Sequence, residues 1–234
     1  MIDTHCHLLA GVDDGPRTDA ESLRLARRLV EDGVTTVVCT PHFSAQFPTP
    51  CVVALDRHAR LRRELDALGV ELETIVAAEV SVPAVLETPA DRLRRRAIGG
   101  RFLLVELVRE TSALSALTVC ARLFDFGLVP IIAHPERCRA VQADLTLLDE
   151  ARREGAWVQV VAPSLAGSWG GGVWKTSWAL VESGRADLLG SDAHRATASN
   201  PQLAAVAALV EERCGPARRE ELTETAPRRL LDSQ

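Results

Sequence analysis

The sequence predicts an α/β fold built as a β/α barrel, on three observations. Seven short apolar runs recur along the chain, each followed by a helical pattern or a long loop. The runs are apolar throughout instead of alternating, as parallel strands covered on both faces must be. Nearly every run ends in a histidine or a carboxylate, which is expected where strand C-termini converge on one functional face. A doubly wound open sheet is the alternative of the same strand content.

Met1–His7 reads as the first buried strand. Thr18-x-x-Glu21 is a capping box that opens a helix through Leu23, Ala26, Leu29 and Val30, stopped by Gly33. The β-branched run Val34–Thr40 is strand two, a charged helical pattern covers Val53–Leu68, and Val70–Ala78 is strand three. Arg101–Leu107 is strand four, followed by a helix over Ala113–Phe126 that closes at Gly127. Leu128–Ala133 is strand five, Asp144–Glu154 a helix, and Ala156–Val161 strand six. Trp174–Ser183 reads as helix and Ala186–Gly190 as strand seven, with two helical patterns after it, Pro201–Arg213 and Arg218–Leu231.

With 234 residues and no repeat or low-complexity segment, one domain spanning 1–234 accounts for the chain. Lys and Arg number 27 against 32 Asp and Glu, a formal charge of −5 that gives no footprint for duplex nucleic acid. No apolar run approaches the ~18 residues that a membrane span needs, and the opening residues lack the pattern of a signal peptide. A cytoplasmic protein with no membrane insertion is the expectation. Six cysteines show no C-x-x-C and no paired spacing, so they read mainly as small buried apolar residues.

The functional signal is positional. His5 and His7 end strand one, His42 follows strand two, Glu79 ends strand three and Glu106 ends strand four. His134 follows strand five, and Asp192 and His194 follow strand seven. His-x-His on a strand places both imidazoles on one side. A single such pair is weak evidence, whereas a full set at successive strand ends is not. Imidazole and carboxylate without cysteine suit Mn²⁺, Fe or Zn²⁺ in an open catalytic site.

These residues carry a resemblance. MIDTHCH at the start, VDDGP at 12–16, TPH at 40–42, the glutamates of AAEV and LVEL, IIAHPER at 131–137, SLAG at 164–167 and GSDAH at 190–194 follow one another in order. Together they resemble the PHP (polymerase and histidinol phosphatase) superfamily, and within it the bacterial protein-tyrosine phosphatases of capsular and exopolysaccharide operons. The resemblance implies a distorted (β/α)7 barrel of the PHP type and three divalent ions, with Mn expected and Fe or Zn as alternatives. His5, His7, Glu79 and Asp192 would hold one ion. Glu79, as a bridge, would hold a second with Glu106 and His134, and Asp14, His42 and His194 the third. Asp13 and Asp14 are adjacent, and which of them points inward is open.

Arg137 would bind the phosphoryl oxygens, and Arg137, Asp14 and His42 are the catalytic candidates. In that family an arginine a few residues past Asp-x-His also binds phosphate. Here Arg195 follows His194 directly, so its part in substrate binding is open. The expected chemistry is metal-assisted hydrolysis of a phosphate monoester, a metal-bridging hydroxide attacking phosphorus in line. By resemblance the substrate is a phosphotyrosyl protein, a cognate tyrosine autokinase of polysaccharide biosynthesis. The chain has no tyrosine of its own to be a substrate in cis. The oligomeric state, a homo-oligomer included, is open.

Two rivals share parts of the pattern: a PHP phosphatase for a small alkyl phosphate such as histidinol phosphate, and a metal-dependent deoxyribonuclease of the TatD type. VDDGP, HPER and the His of Ser191-Asp192-Ala193-His194 favour the tyrosine phosphatase. A binding module with a vestigial metal site is disfavoured by the complete ligand set. A bare C-x5-R at Cys51 to Arg57 is discounted, because its interior is apolar and helix-like where a phosphate loop needs glycine and exposed N–H groups. Gly170-Gly171-Gly172 lacks the Lys-Ser/Thr of a P-loop, and with its two tryptophans the loop Gly167–Trp174 reads as an aromatic wall or a lid.

Overall fold

A computed structural model describes residues 1–197 and 202–232. Among the described residues nine strands are interspersed with helices: β1 (Ile2–Cys6), β2 (Thr36–Cys39), β3 (His42–Phe43), β4 (Glu73–Val76), β5 (Glu79–Ser81), β6 (Phe102–Glu106), β7 (Val129–Ala133), β8 (Trp157–Val161) and β9 (Leu188–Gly190). Every strand pair is parallel. One sheet has the order β1-β2-β4 and the other β3-β5-β6-β7-β8-β9.

The two sheets are joined by register. Cys39 stands opposite Val76 and His42 opposite Glu79, the same offset on both sides of the break. Pro41 lies in the gap, and without an N–H it cannot donate to a ladder. Ala77 N–H to Cys39 O (2.9 Å) and Glu79 N–H to Pro41 O (3.1 Å) carry the bonding across. The expected strands Val34–Thr40 and Val70–Ala78 are thus each interrupted, and their continuations β3 and β5 bring His42 and Glu79 side by side. At the other flank Cys6 and Ala193 form an isolated parallel bridge, with Asp192 N–H donating to His5 O at 2.8 Å. Hydrogen bonding links the strands as two parallel sheets and a bridge, where the sequence predicts one barrel. Gly190 permits the close approach, since a Cβ there would stand 2.7 Å from His5 Cβ.

The first helix, α1 (Asp19–Glu31), starts at Thr18, whose hydroxyl accepts from Glu21 N–H, while the Glu21 carboxylate reaches back to Arg17 N–H. It buries Leu25, Ala26 and Leu29. Next come α2 (Cys51–Ala67), α3 (Val82–Glu87), α4 (Ala90–Arg94) and α5 (Ala113–Asp125). After β7 the chain makes a 3-10 turn over Pro135–Arg137, then α6 (Arg139–Ala143) and α7 (Leu147–Arg153). The expected start at Asp144 is displaced because its carboxylate accepts from Thr146 N–H and Oγ1–H, a local turn that competes with helix. α8 (Ala162–Leu165) and α9 (Gly171–Glu182) flank the Gly-rich loop, α9 beginning three residues before the expected Trp174.

The tail holds α10 (Leu203–Cys214), α11 (Pro216–Glu220) and α12 (Ala226–Asp232). The expected start of its first helix, Pro201, lies outside the described residues. α11 and α12 are joined by a wide π-type turn over Glu221–Thr225 just before Pro227, which cannot donate a helical hydrogen bond. No helix among the described residues is long and apolar enough to cross a membrane. Short helices such as α3, α4, α6 and α8 escape a periodicity reading because a single turn or two shows no period.

Candidate metal centre

The strand ends deliver the expected residues to one place. Glu79, at the start of β5, is fully buried and central. Its Oε1 lies 2.7 Å from His134 Nε2, and its Oε2 lies 3.0 Å from His42 Nδ1 and 3.4 Å from Nε2 of both His5 and His7. Those two imidazole nitrogens are 3.3 Å apart, and Asp192 Oδ1 is 3.5 Å from each. Glu106 Oε2 stands 4.0 Å from His42 Nδ1. Asp14 Oδ1 lies 3.6 Å from His42 Nε2 and 3.3 Å from His194 Nε2.

Four overlapping sets have ligand atoms all within 4.8 Å of one another: His5, His7 and Asp192; His5, Glu79 and His134; His42, Glu79 and Glu106; and His7, Asp14, His42 and His194. They contain the nine residues singled out from the sequence, partitioned differently. The set of His5, His7, Glu79 and Asp192 divides in two, and Glu106 groups with His42 instead of His134. The donor set fits divalent cations. Glu79 Oε2 and His134 Nδ1 are buried without a well-aligned hydrogen bond, and imidazole lone pairs converge among carboxylates.

Second partners fix which ring nitrogen faces the cluster. Gln159 donates to Thr4 Oγ1 (2.7 Å), so its Oε1, 2.8 Å from His5 Nδ1, accepts from that nitrogen. Asp13 Oδ2 does the same for His7 Nδ1 at 2.7 Å, and the Asp192 carbonyl for His194 Nδ1 at 2.9 Å. Each leaves Nε2 as the free donor atom. Asp14, half-exposed, is therefore the member of the pair that joins the cluster, and Asp13 is the buried one behind it, also accepting from Gly15 and His42 N–H. Gly15 is required there, since a Cβ would stand 2.5 Å from His7 O.

The electrostatics follow from charge crowded out of water. Burial opposes the ionised forms of Glu79 and Asp192, yet His5 and further cationic neighbours more than offset it and hold both well below the carboxylate range. His7 is raised well above the usual imidazole value: burial opposes its charge, and the hydrogen bonds to Asp13, Asp192 and Glu79 overcome it. Glu106 is pushed up by burial and by the Glu79 charge. The carboxylates demand positive charge nearby, from imidazole protons or from divalent ions. Among the described residues the only two non-glycines with left-handed φ are His134 (33°) and Asp192 (52°), both in the cluster. Backbone strain of this kind concentrates at functional sites.

A cavity of about 570 Å³ opens over the cluster, lined by Asp14, His42, Glu106, His134, Arg137, Trp169, Asp192 and His194 among others. Arg137 is held by Asp192 Oδ2 at 2.7 Å, with its guanidinium carbon 4.4 Å from the Trp169 ring centre. Arg195 lines a smaller cavity with Arg17, Glu21 and Arg24, which meets the one over the cluster at His194 and Thr197. The Cys51–Arg57 segment is the first two turns of α2 and forms no phosphate loop. Sequence reasoning passed over Gln159 and Asp3, though Gln159 is a polar residue inside the otherwise apolar strand β8. Asp3 is fully buried and accepts from His5 and Ser191 N–H, and burial pushes its carboxyl up to about 6.

Known proteins resemble this chain in sequence and fold. A solved structure from work on YwqE of Bacillus subtilis and CpsB of Streptococcus pneumoniae, described there as metal-dependent tyrosine phosphatases, superposes with a TM-score of 0.89. It is 29% identical and covers 100% of this chain and 95% of that one. CapC of Staphylococcus aureus is 30% identical over 84% of this chain and 78% of its own length. Tyrosine-protein phosphatase YwqE of Bacillus subtilis is 28% identical over 86% and 80%. L-hydantoinase of Arthrobacter aurescens, 12% identical with a TM-score of 0.60 over 99% of this chain and 70% of that one, shares the fold alone. The pattern of the family described as capsular polysaccharide synthesis, CpsB/CapC, runs through residues 1–232, from the His-x-His of β1 to the last helix, and the chain belongs to that family.

Proposed function

We propose that this chain is a metal-dependent protein-tyrosine phosphatase of capsular or exopolysaccharide synthesis, acting in the cytoplasm on a phosphotyrosyl protein, a cognate tyrosine autokinase. The observation that carries the reading is the gathering of four overlapping ligand sets around Glu79, beside Arg137, in a chain of this family. The single pattern over residues 1–232 supports one domain, and the shared register of the two sheets with the Cys6–Ala193 bridge supports a distorted seven-stranded barrel.

Three ions, with Mn the first choice, would be held by His5, His7, Asp14, His42, Glu79, Glu106, His134, Asp192 and His194. Bound there, such ions supply Lewis-acid polarisation of the phosphoryl group and a water of lowered pKa. The chain's own part is orientation and charge. Gln159 and Asp13 keep His5 and His7 in the tautomer that exposes Nε2. Arg137, fixed between Asp192 and Trp169, offers a planar fork to phosphoryl oxygens and stabilises the charge that accumulates on them. A phenol leaves with a pKa of about 10 and needs less help from an acid than an alkyl alcohol does.

The test is phosphate release by Mn²⁺-loaded protein from a phosphotyrosyl peptide, with a chelated control and histidinol phosphate alongside. Chelator-sensitive turnover of the peptide alone supports the reading. Turnover of histidinol phosphate in preference to the peptide would replace it with the alkyl phosphatase.

A further inference from the structure

A second cavity, of about 430 Å³, adjoins the one over the metal centre and shares Glu106, His134, Arg137 and Trp169 with it. Its remaining walls come from two segments: Leu107, Val108 and Arg109 after β6, and Gly170 to Val173 leading into α9, with Gln142 between them. Trp169 is 56% exposed and Val108 50%, so two large apolar side chains are left in water at the edge of a charged site. That costs about 25 cal/mol per Å² of apolar surface unless something covers it. The tryptophan is not free to fold away. The Arg137 guanidinium sits over its ring, so the residue facing the phosphoryl group also fixes the ring's place.

The glycines keep the cavity open. At Gly170 and Gly171 an added Cβ would meet nothing within 4 Å, and at Gly172 it would meet only the Gln142 side chain, its Oε1 at 3.4 Å. Gln142 is itself tied down, donating to the Glu136 carbonyl at 2.7 Å. The result is a slot of apolar and aromatic walls with a few fixed polar groups, beside the place where a phosphoryl group would sit. Sites of this character take flat apolar ligands.

We propose that this slot receives the aromatic ring of the substrate, with Trp169 as the residue that selects aryl over alkyl phosphates. The proposal rests on the phosphatase reading and adds to it where the leaving group lies. It assigns a role to the Gly167–Trp174 loop, which the metal cluster does not use. A ring in the slot covers Trp169 and Val108 while its phosphate remains with Arg137. Alkyl phosphates leave both exposed.

The experiment compares two competitive inhibitors of the Mn²⁺-loaded enzyme, phenylphosphonate and inorganic phosphate, which differ by the ring. Trp169→Ala is expected to weaken phenylphosphonate about tenfold and inorganic phosphate less than twofold, with Trp169→Phe restoring most of the difference. Because Trp169 also touches Arg137, Gly171→Leu is the second variant. Its φ is not left-handed and a Cβ there meets nothing within 4 Å, so it adds bulk at the rim. It is expected to raise the inhibition constant of phenylphosphonate alone. Equal weakening of both inhibitors in both variants, or no change in either, would overturn the proposal and leave the phosphatase reading standing. A wild-type protein that binds neither inhibitor and releases no phosphate from a phosphotyrosyl peptide would overturn both.

Discussion

Asp13 Oδ2 stands 2.7 Å behind His7 Nδ1, while the next residue, Asp14, points the other way, 3.3 Å from His194 Nε2. Two adjacent carboxylates thus take different places, one behind an imidazole of the cluster and one among its ligand atoms. Asp14→Ala is expected to lower the number of ions bound per chain, and Asp13→Ala to keep the number but weaken affinity by about 10- to 100-fold. Metal titration followed by analysis of bound metal separates the two.

Arg137→Ala is expected to retain metal and to lose about a hundredfold in kcat/KM, because it removes a charged donor to the transition state. Arg137→Lys should recover only part of this, since an ammonium cannot reproduce the fork. Steady-state kinetics with metal analysis on the same samples checks both.

Cys51→Ser is expected to leave turnover nearly unchanged. The thiol lies at the start of α2, its sulfur 3.9 Å from the Arg95 carbonyl, far from the requirements of a nucleophile with a phosphate loop. A folded, fully metallated Cys51→Ser protein without activity would overturn the metal mechanism.

Chelation is expected to abolish turnover and to lower Tm. Ions that bind only the folded chain stabilise it by about 2.7 kcal/mol per site at a free concentration a hundred times Kd. A thermal melt with and without chelator, repeated on Glu79→Ala, is the measurement, and the variant should show little further loss.

His58 lies outside the cluster, its Nε2 2.9 Å from Thr74 Oγ1 and 3.1 Å from Thr74 O. Burial holds its pKa below the usual imidazole value, with Arg62 adding to the effect. The folded form therefore binds fewer protons than the unfolded one just below about pH 6.5. Stability is fully present above that pH and falls as the pH drops through it. His58→Gln should flatten this part of the pH profile of Tm.

The strands were legible because their runs are continuously apolar, and the metal candidates because histidines and carboxylates recur at the ends of those runs. What was hidden depends on atoms meeting through space. The choice between Asp13 and Asp14 turns on a hydrogen bond to His7, and no spacing encodes it. Gln159 left a trace, a polar residue amid apolar neighbours, whereas Asp3 sits among Thr4 and His5 and stands out less; their partners Thr4 and Ser191 come from distant segments. The break at Pro41 divides β2 from β3 in a way that β-propensity alone does not show. The early start of α9 was invisible for a related reason: its first turn is glycine, which carries no periodic side chain.

Glu79 contributes to two of the four ligand sets and approaches four imidazoles. A carboxylate shared in this way makes the occupancy of one position a condition of the next. Each cation that arrives changes the charge and the imidazole protonation seen by its successor, and by linkage the influence is mutual. Affinities measured in a titration then belong to the cluster as a whole, as the pKa values of coupled acids belong to the pair. With the three ions proposed above, loading would be an ordered equilibrium with a curved isotherm, and metal supply would set activity through the last ion to bind.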